Sequence, residues 1–156
     1  MPVESLGALP PNDTVVLLCP FGKFDKKDDG TTFLRLTPDA FRVDDDGISV
    51  VWVEYFKPPP PSIEQAAAAL KTERSPTKTG VLAQATVSRI LELAKKDGIE
   101  AAVTHSPTCK NHGHASITGW PDQIGVLESL ALAFPTAIPN KDIPGFLDAK
   151  PASEKT

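Results

Sequence analysis

The pattern of apolar residues along the chain predicts about five short strands. The candidates are the runs TVVLLC, TTFLRL, ISVVWVEYF and VLAQATV, together with the apolar segments at 99–104 and 114–119. Both alternating faces of residues 48–56 are largely apolar. Such a strand is typical of a sheet interior, where both faces are covered. We therefore expect 48–56 to be a central strand, with 99–104 and 114–119 in the same sheet.

Apolar residues spaced three and four positions apart predict about three helices. The first covers residues 62–72, the second begins at a cap residue, Thr86 or Ser88, and the third covers 121–134. The order strand, helix, strand between residues 81 and 103 resembles a βαβ unit. Together these elements predict an α+β fold with a small mixed sheet.

Prolines divide the chain into a folded part and polar ends. The 16 prolines are concentrated in polar segments near the termini and between elements. Residues 57–61, with four consecutive prolines, are interpreted as an extended spacer because proline cannot continue a ladder of hydrogen bonds. We expect a flexible N-terminus at 1–13, a single α+β domain at 14–134 and a Pro-rich flexible tail at 135–156, parts of which could dock on the domain.

Composition and charge exclude several classes of function. The chain of 156 residues has a formal net charge of −4 and no basic run of five or more, so nucleic acid is an unlikely partner. No apolar run approaches the roughly 20 residues of a membrane span. The N-terminus lacks the pattern of a secretory signal, and two cysteines are too few for a disulfide framework. These features favour a cytoplasmic protein.

All three histidines and one of the two cysteines lie between residues 99 and 120. His105, Cys109, His112 and His114 form the pattern H-x3-C-x2-H-x-H, and each of these side chains is a good zinc ligand. Four ligands complete a closed structural site. A second ligand pair at the usual distance is missing, so this zinc site would have to form from ten consecutive residues.

The same cluster also suggests catalysis. If His105 ends one strand and His114 begins its neighbour, the two imidazoles could act as general base and general acid near neutral pH. This arrangement suits hydrolysis of a phosphodiester or nucleotide, with Arg35, Ser49 and Lys110 as candidate anion contacts. Cys109 beside Lys110 is a weaker candidate for a nucleophile, since no oxyanion donor is evident.

Several motifs resemble a family of small uncharacterised bacterial proteins. The matching positions are Arg35, the Ile-Ser-Val run at 48–50, His105-Ser106-Pro107 and the run HASITG at 114–119. The resemblance covers about two thirds of the chain and implies a bacterial source. It implies no activity, and Cys109 and His112 fall in the loop that varies in that family.

A structural role for the cluster is the remaining interpretation. The histidines would then belong to a polar hairpin loop, and the protein would act mainly as a binding or accessory module whose partner is another protein. No cofactor is needed for this function. The His-dependent hydrolase and the zinc-stabilised domain stay open as alternatives.

Overall fold

The computed structural model describes residues 4–45, 47–56 and 62–147. Within them the chain folds as an α+β protein with three α-helices, as predicted. The helices are α1 Ser62–Lys71, α2 Val87–Lys96 and α3 Ile124–Ala131. The strands are β1 Thr14–Cys19, β2 Phe24–Lys26, β3 Phe33–Leu36, β4 Ile48–Trp52, β5 Val81–Thr86, β6 Ala102–His105, β7 His114–Thr118 and β8 Thr136–Pro139.

The described residues contain eight strands, more than the five or so predicted, and these form one large and one small sheet. Six strands lie in the order β6-β7-β4-β1-β5-β8, and β2 pairs with β3 in a separate hairpin. Every pair of neighbours is antiparallel. β4 lies inside the large sheet beside β7 and β1, as expected of the central strand. The predicted βαβ unit does not form, because its two strands, β5 and β6, are not neighbours: β1, β4 and β7 lie between them.

Alternation along the strands creates two apolar faces. On the first, called the α2/α3 face, residues such as Val15, Val50 and Ile117 pack with α2 and α3. On the second, called the α1 face, residues such as Val16 and Val51 pack with α1. Side chains of successive strand residues point to opposite faces, so β1, β4, β5 and β8 supply residues to both cores, whereas β6 and β7 supply the first core only.

The predicted strand at 48–56 is shorter in the structure. β4 ends at Trp52, and Val53–Tyr55 form a single 3-10 turn. Glu54 accepts the backbone N–H of Thr14 at 2.6 Å, which ties this turn to the start of β1. The predicted proline spacer at 57–61 lies outside the described residues.

The domain is larger than the predicted range of 14–134, because both ends contribute backbone partners to the sheet. β8 pairs with β5 from within the expected tail, and Ile143 and Phe146 are buried against the α1 face. At the other edge, the N–H of Leu9 donates to the Val103 carbonyl at 3.0 Å. The range 14–134 is therefore too narrow, because the stretch around Leu9 and the segment 136–147, parts of which were expected to dock on the domain, belong to the fold. Residues 1–3 and 148–156 lie outside the described part.

None of the helices in the described ranges is long and apolar enough to cross a membrane.

Candidate functional site

The histidine cluster lies on the hairpin formed by β6 and β7. His105 ends β6 and His114 begins β7, as predicted, but the pairing register matches His105 with Ala115. Paired residues share a face of the sheet and adjacent residues do not. The side chain of His105 therefore lies on the α2/α3 face and that of His114 on the α1 face.

His105 is buried, with 2% of its surface exposed, and both ring nitrogens have backbone partners. The N–H of Leu6 donates to Nδ1 at 2.9 Å, so Nδ1 carries no proton. Nε2 lies 2.6 Å from the His112 carbonyl oxygen, which can only accept, so Nε2 carries the proton. The hydrogen bonds thus select one neutral tautomer and leave no ring nitrogen for a substrate or metal.

Aromatic rings complete the surroundings of His105. The Tyr55 ring stacks on the imidazole with centroids 5.1 Å apart, and the Trp52 ring meets it edge-on at 5.3 Å. Trp52 is itself fixed, since its indole N–H donates to Asp13 at 2.8 Å. His105 therefore joins the N-terminal segment, the hairpin loop and the turn after β4. The prediction that His105 and His114 form an acid–base pair is wrong, because the sheet separates them and His105 is fully bonded.

The loop between the two strands is held by hydrogen bonds. The N–H of Asn111 donates to Thr108 Oγ1 at 2.9 Å, and the Asn111 side-chain oxygen accepts the Gly113 N–H at 3.0 Å. The hydroxyl of Thr72, just after α1, lies 2.6 Å from the Ala69 carbonyl oxygen and 2.9 Å from that of Lys110, and it can donate to either. These bonds fix the loop against the end of α1.

The predicted zinc ligands do not converge. His105 faces the opposite side of the sheet from His114, while Cys109 and His112 are exposed on the loop. Among the residues that the structure describes, no group of three or more His, Cys, Asp and Glu side chains could hold a metal ion. The assignment of His105, Cys109, His112 and His114 as one metal site is therefore wrong.

His114 is the half-buried histidine of the pair, and its ring is held at one end only. Nδ1 lies 2.9 Å from the Ser106 carbonyl oxygen and 3.0 Å from the Ser106 hydroxyl. A carbonyl cannot donate, so Nδ1 carries the proton and Nε2 is the acceptor nitrogen of the neutral ring. No partner for Nε2 occurs in the described ranges. The ring is thus positioned with one nitrogen left for a ligand.

Two serines extend this arrangement across the sheet. The Ser106 hydroxyl lies 2.8 Å from that of Ser116, and Ser116 pairs with Ser49 of β4. Because Nδ1 of His114 is protonated toward the Ser106 carbonyl, it has no lone pair with which to activate the Ser106 hydroxyl. A nucleophilic serine would need such a base, so the geometry favours binding over acyl transfer.

A recess of about 110 Å³ lies on the α1 face beside His114. Its apolar lining includes Val16, Leu18 and Val51 of the sheet and Leu70 of α1. Four charged residues also line it: Arg42, Asp44, Glu73 and Arg74. Arg42 donates to Asp44 at 3.0 Å, and Glu73 and Arg74 follow the last turn of α1. The recess therefore combines apolar walls with charges of both signs.

The sequence identified only part of this site. Ser49, considered as an anion contact, does line the recess with His114. Arg35 instead pairs with Asp25 on the small hairpin, and Lys110 is exposed on the loop. Ser116 lies two residues after His114, so strand alternation could have identified it. Nothing in the sequence signals that Arg42 and Arg74 approach the same place.

Comparison of the chain with family models, curated proteins and solved structures finds no match. The resemblance to small bacterial proteins therefore stays a prediction.

Proposed function

We propose that the protein is a binding module whose recess beside His114 receives an apolar side chain of a partner protein. The observation that carries this proposal is the combination of apolar lining, small size and charged surroundings in one recess. Interfaces between proteins typically have an apolar anchor in a central pocket with a polar rim around it. The recess offers both parts.

The size of the recess favours a side chain over a metabolite. Pockets for drug-sized molecules usually enclose about 300–1,000 Å³. A cavity of roughly 150 Å³ in a protein interior is large enough for benzene. A recess of about 110 Å³ therefore matches one aliphatic side chain and is too small for a nucleotide.

The polar groups around the recess supply the directional contacts. His114 Nε2 accepts an N–H or hydroxyl of the partner, and Ser49 adds a hydroxyl from the neighbouring strand. Glu73 and Arg74 are exposed and meet groups of opposite charge on the partner. Exposed pairs of this kind contribute little affinity but set orientation. The apolar anchor is the main source of binding energy.

The proposal includes a bacterial cytoplasmic location. The support is the resemblance in sequence and the state of the cysteines. Cys19 and Cys109 are both free, which suits a reducing compartment.

A pair of variants tests the proposal. Ser49 and Thr104 are half-buried and pair with opposite sides of Ser116, so they share the α1 face, but only Ser49 lines the recess. Ser49→Leu fills the recess, and Thr104→Leu adds a similar apolar group outside it. Each protein is used as bait in cross-linked cell extract, and the captured partner is then purified for calorimetry.

The expected result is a partner that binds the wild type and Thr104→Leu with similar affinity and binds Ser49→Leu at least about tenfold more weakly, or about 1.4 kcal/mol. Thermal melts establish that both variants are folded. Equal binding to all three proteins, or no captured partner of the wild type, would contradict the proposal.

A further inference from the structure

A second and larger cleft lies at the opposite edge of the sheet from the histidines. It encloses about 450 Å³ beside β8, whereas β6 forms the other edge. Its walls come from the β2–β3 hairpin, the loop that leads into β5, and β8 itself. The cleft shares no lining residue with the recess, so an inference about it is independent of the proposed function.

Three lysines from three separate segments line this cleft. Lys27 belongs to the turn of the β2–β3 hairpin, Lys78 precedes β5, and Lys141 follows β8. None of the three has an ion pair within the described ranges, and no carboxylate is among the lining residues. Three ammonium groups around one cavity whose lining has no carboxylate repel each other and attract an anion. This local charge contrasts with the net charge of −4 for the whole chain.

One carboxylate of the hairpin turn, that of Asp29, is already engaged in hydrogen bonds. Asp29 accepts the backbone N–H groups of Thr31 and Thr32, at 2.8 and 2.7 Å, and the Thr32 hydroxyl also donates to it. These hydrogen bonds lower the pKa of Asp29 to about 2. Its charge thus organises the turn that carries Lys27 and is not among the groups that line the cleft.

The cleft also has apolar walls. Phe21 and Phe33 line it together with Val81, Ala137 and two prolines. Phe21 is 38% exposed, and the Lys26 ammonium lies 4.0 Å from the centroid of its ring. Thr79 and Thr136 are also among the lining residues. The volume is within the usual range for a pocket that holds a small molecule.

We infer that this cleft binds a small molecule that carries phosphate groups and a planar ring. The lysines contact the phosphates, the threonine hydroxyls donate to phosphate oxygens, and the ring packs against Phe21 and Phe33. Ammonium–phosphate contacts supply the charge-assisted hydrogen bonds. The aromatic walls distinguish such a ligand from free phosphate.

Calorimetric titration of the full chain at low and physiological salt tests this inference, with ADP and pyrophosphate as probes. The expected result is saturable binding of one ADP per chain. Replacement of Lys27, Lys78 and Lys141 by Gln should weaken it at least about a hundredfold, since each lost contact to a charged group is worth roughly a factor of ten. Phe21→Ser should weaken the binding of ADP more than the binding of pyrophosphate, because only ADP has a planar ring.

The matched control replaces Lys95, Lys96 and Lys110 by Gln. These three lysines are exposed on α2 and the hairpin loop, so the control removes the same total charge without changing the cleft. Equal weakening by both triple variants would mean non-specific attraction and would overturn the inference. Absence of saturable binding by the wild type would overturn it too. Equal effects of Phe21→Ser on both probes would refute the ring contact.

Discussion

His105 and His114 lie on neighbouring strands of one hairpin, yet the sheet gives them opposite environments. His105 faces the α2/α3 side, where the Trp52 and Tyr55 rings and the N-terminal segment cover it. His114 faces the α1 side, where α1 packs over β4 and the turn that follows it and a recess stays open. Both ring nitrogens of His105 are bonded to the backbone, whereas Nε2 of His114 has no partner among the described residues and is left for a ligand. The residue type is the same, and the face of the sheet decides its role.

The same contrast extends to the rest of the two faces. The α2/α3 face contains the large core, with Phe24, Phe134 and Trp120 buried. The α1 face has a smaller core, whose partners are α1 and the segment around Phe146. Burial on the first face stabilises the fold, and incomplete cover on the second leaves the recess beside His114 open. Each of the following predictions tests this difference.

The largest expected difference is in thiol reactivity. Cys19 lies on the α2/α3 face, and burial, together with the charge of Asp39, raises its pKa to about 12. At pH 8 roughly one Cys19 in ten thousand is then a thiolate. We expect a disulfide reagent to label one thiol per folded chain, at Cys109, and the second only in denaturant. Cys109→Ser should abolish the fast reaction. Fast labelling of both thiols in the folded chain would contradict the burial of Cys19 on the α2/α3 face.

The next largest effect is expected from His105→Ala. Removal of the ring leaves the Leu6 N–H and the His112 carbonyl without partners and opens a cavity beside Tyr55. Each buried orphan group costs about 1–3 kcal/mol, so we expect a loss of about 4 kcal/mol in the free energy of unfolding. Urea unfolding measures it.

His112→Ala is the control for His105→Ala, because the exposed His112 side chain can be removed while its carbonyl stays. We expect a change below about 0.5 kcal/mol. If both variants lost the same stability, the bonded and buried role of His105 would be refuted.

A smaller loss of stability is expected from Gly119→Ala, which tests the close backbone contact at the end of the β6–β7 hairpin. Gly119 has φ +85° and follows β7. A Cβ there would collide with the Glu100 carbonyl oxygen and come within 3.3 Å of the Ala101 Cα. The backbone of both strands would have to move, and we expect a loss of about 3 kcal/mol in urea unfolding.

Gly98→Ala serves as the matched control. Gly98 also has a left-handed backbone, with φ +70°, but an added Cβ would meet nothing within 4 Å. Its expected cost is about 1 kcal/mol. Equal costs at the two glycines would mean that the close contact at Gly119 does not matter.

The sequence predicted the elements better than their arrangement. The run at β1 and the capped helix α2 were identifiable because local pattern and capping agree, and Thr86 Oγ1 does accept the Arg89 N–H at 3.3 Å. β8 was missed because TAIP is short and lies between prolines, and its formation depends on β5, more than fifty residues earlier. When two paired strands are so far apart along the chain, no local sequence pattern indicates that they pair.

The histidine pair shows the same limit within one hairpin. Residues in β6 and β7 pair so that His105 is opposite Ala115. A register shifted by one residue would place His105 opposite His114 and bring both rings to the same face. The loop from Ser106 to Gly113 fixes this register through hydrogen bonds of Thr108 and Asn111. Strand propensity predicts that the hairpin forms, whereas the loop structure and the shared burial of Val103 and Ile117 determine which residues face each other.

The smallest expected change in stability is that of His114→Ala. His114 is half-buried, and its ring is bonded only to Ser106. Its removal leaves the Ser106 hydroxyl beside Ser116 and takes one donor from the Ser106 carbonyl, which belongs to a half-buried residue and which we expect water to reach. We expect a loss below about 1 kcal/mol in urea unfolding, against about 4 kcal/mol for His105→Ala. A cost as large as that of His105→Ala would mean that His114 also supports the fold, and the α1 face would then no longer be the open one. A small cost together with weaker partner binding would instead separate the two roles, since a residue used for recognition can be removed without unfolding the chain.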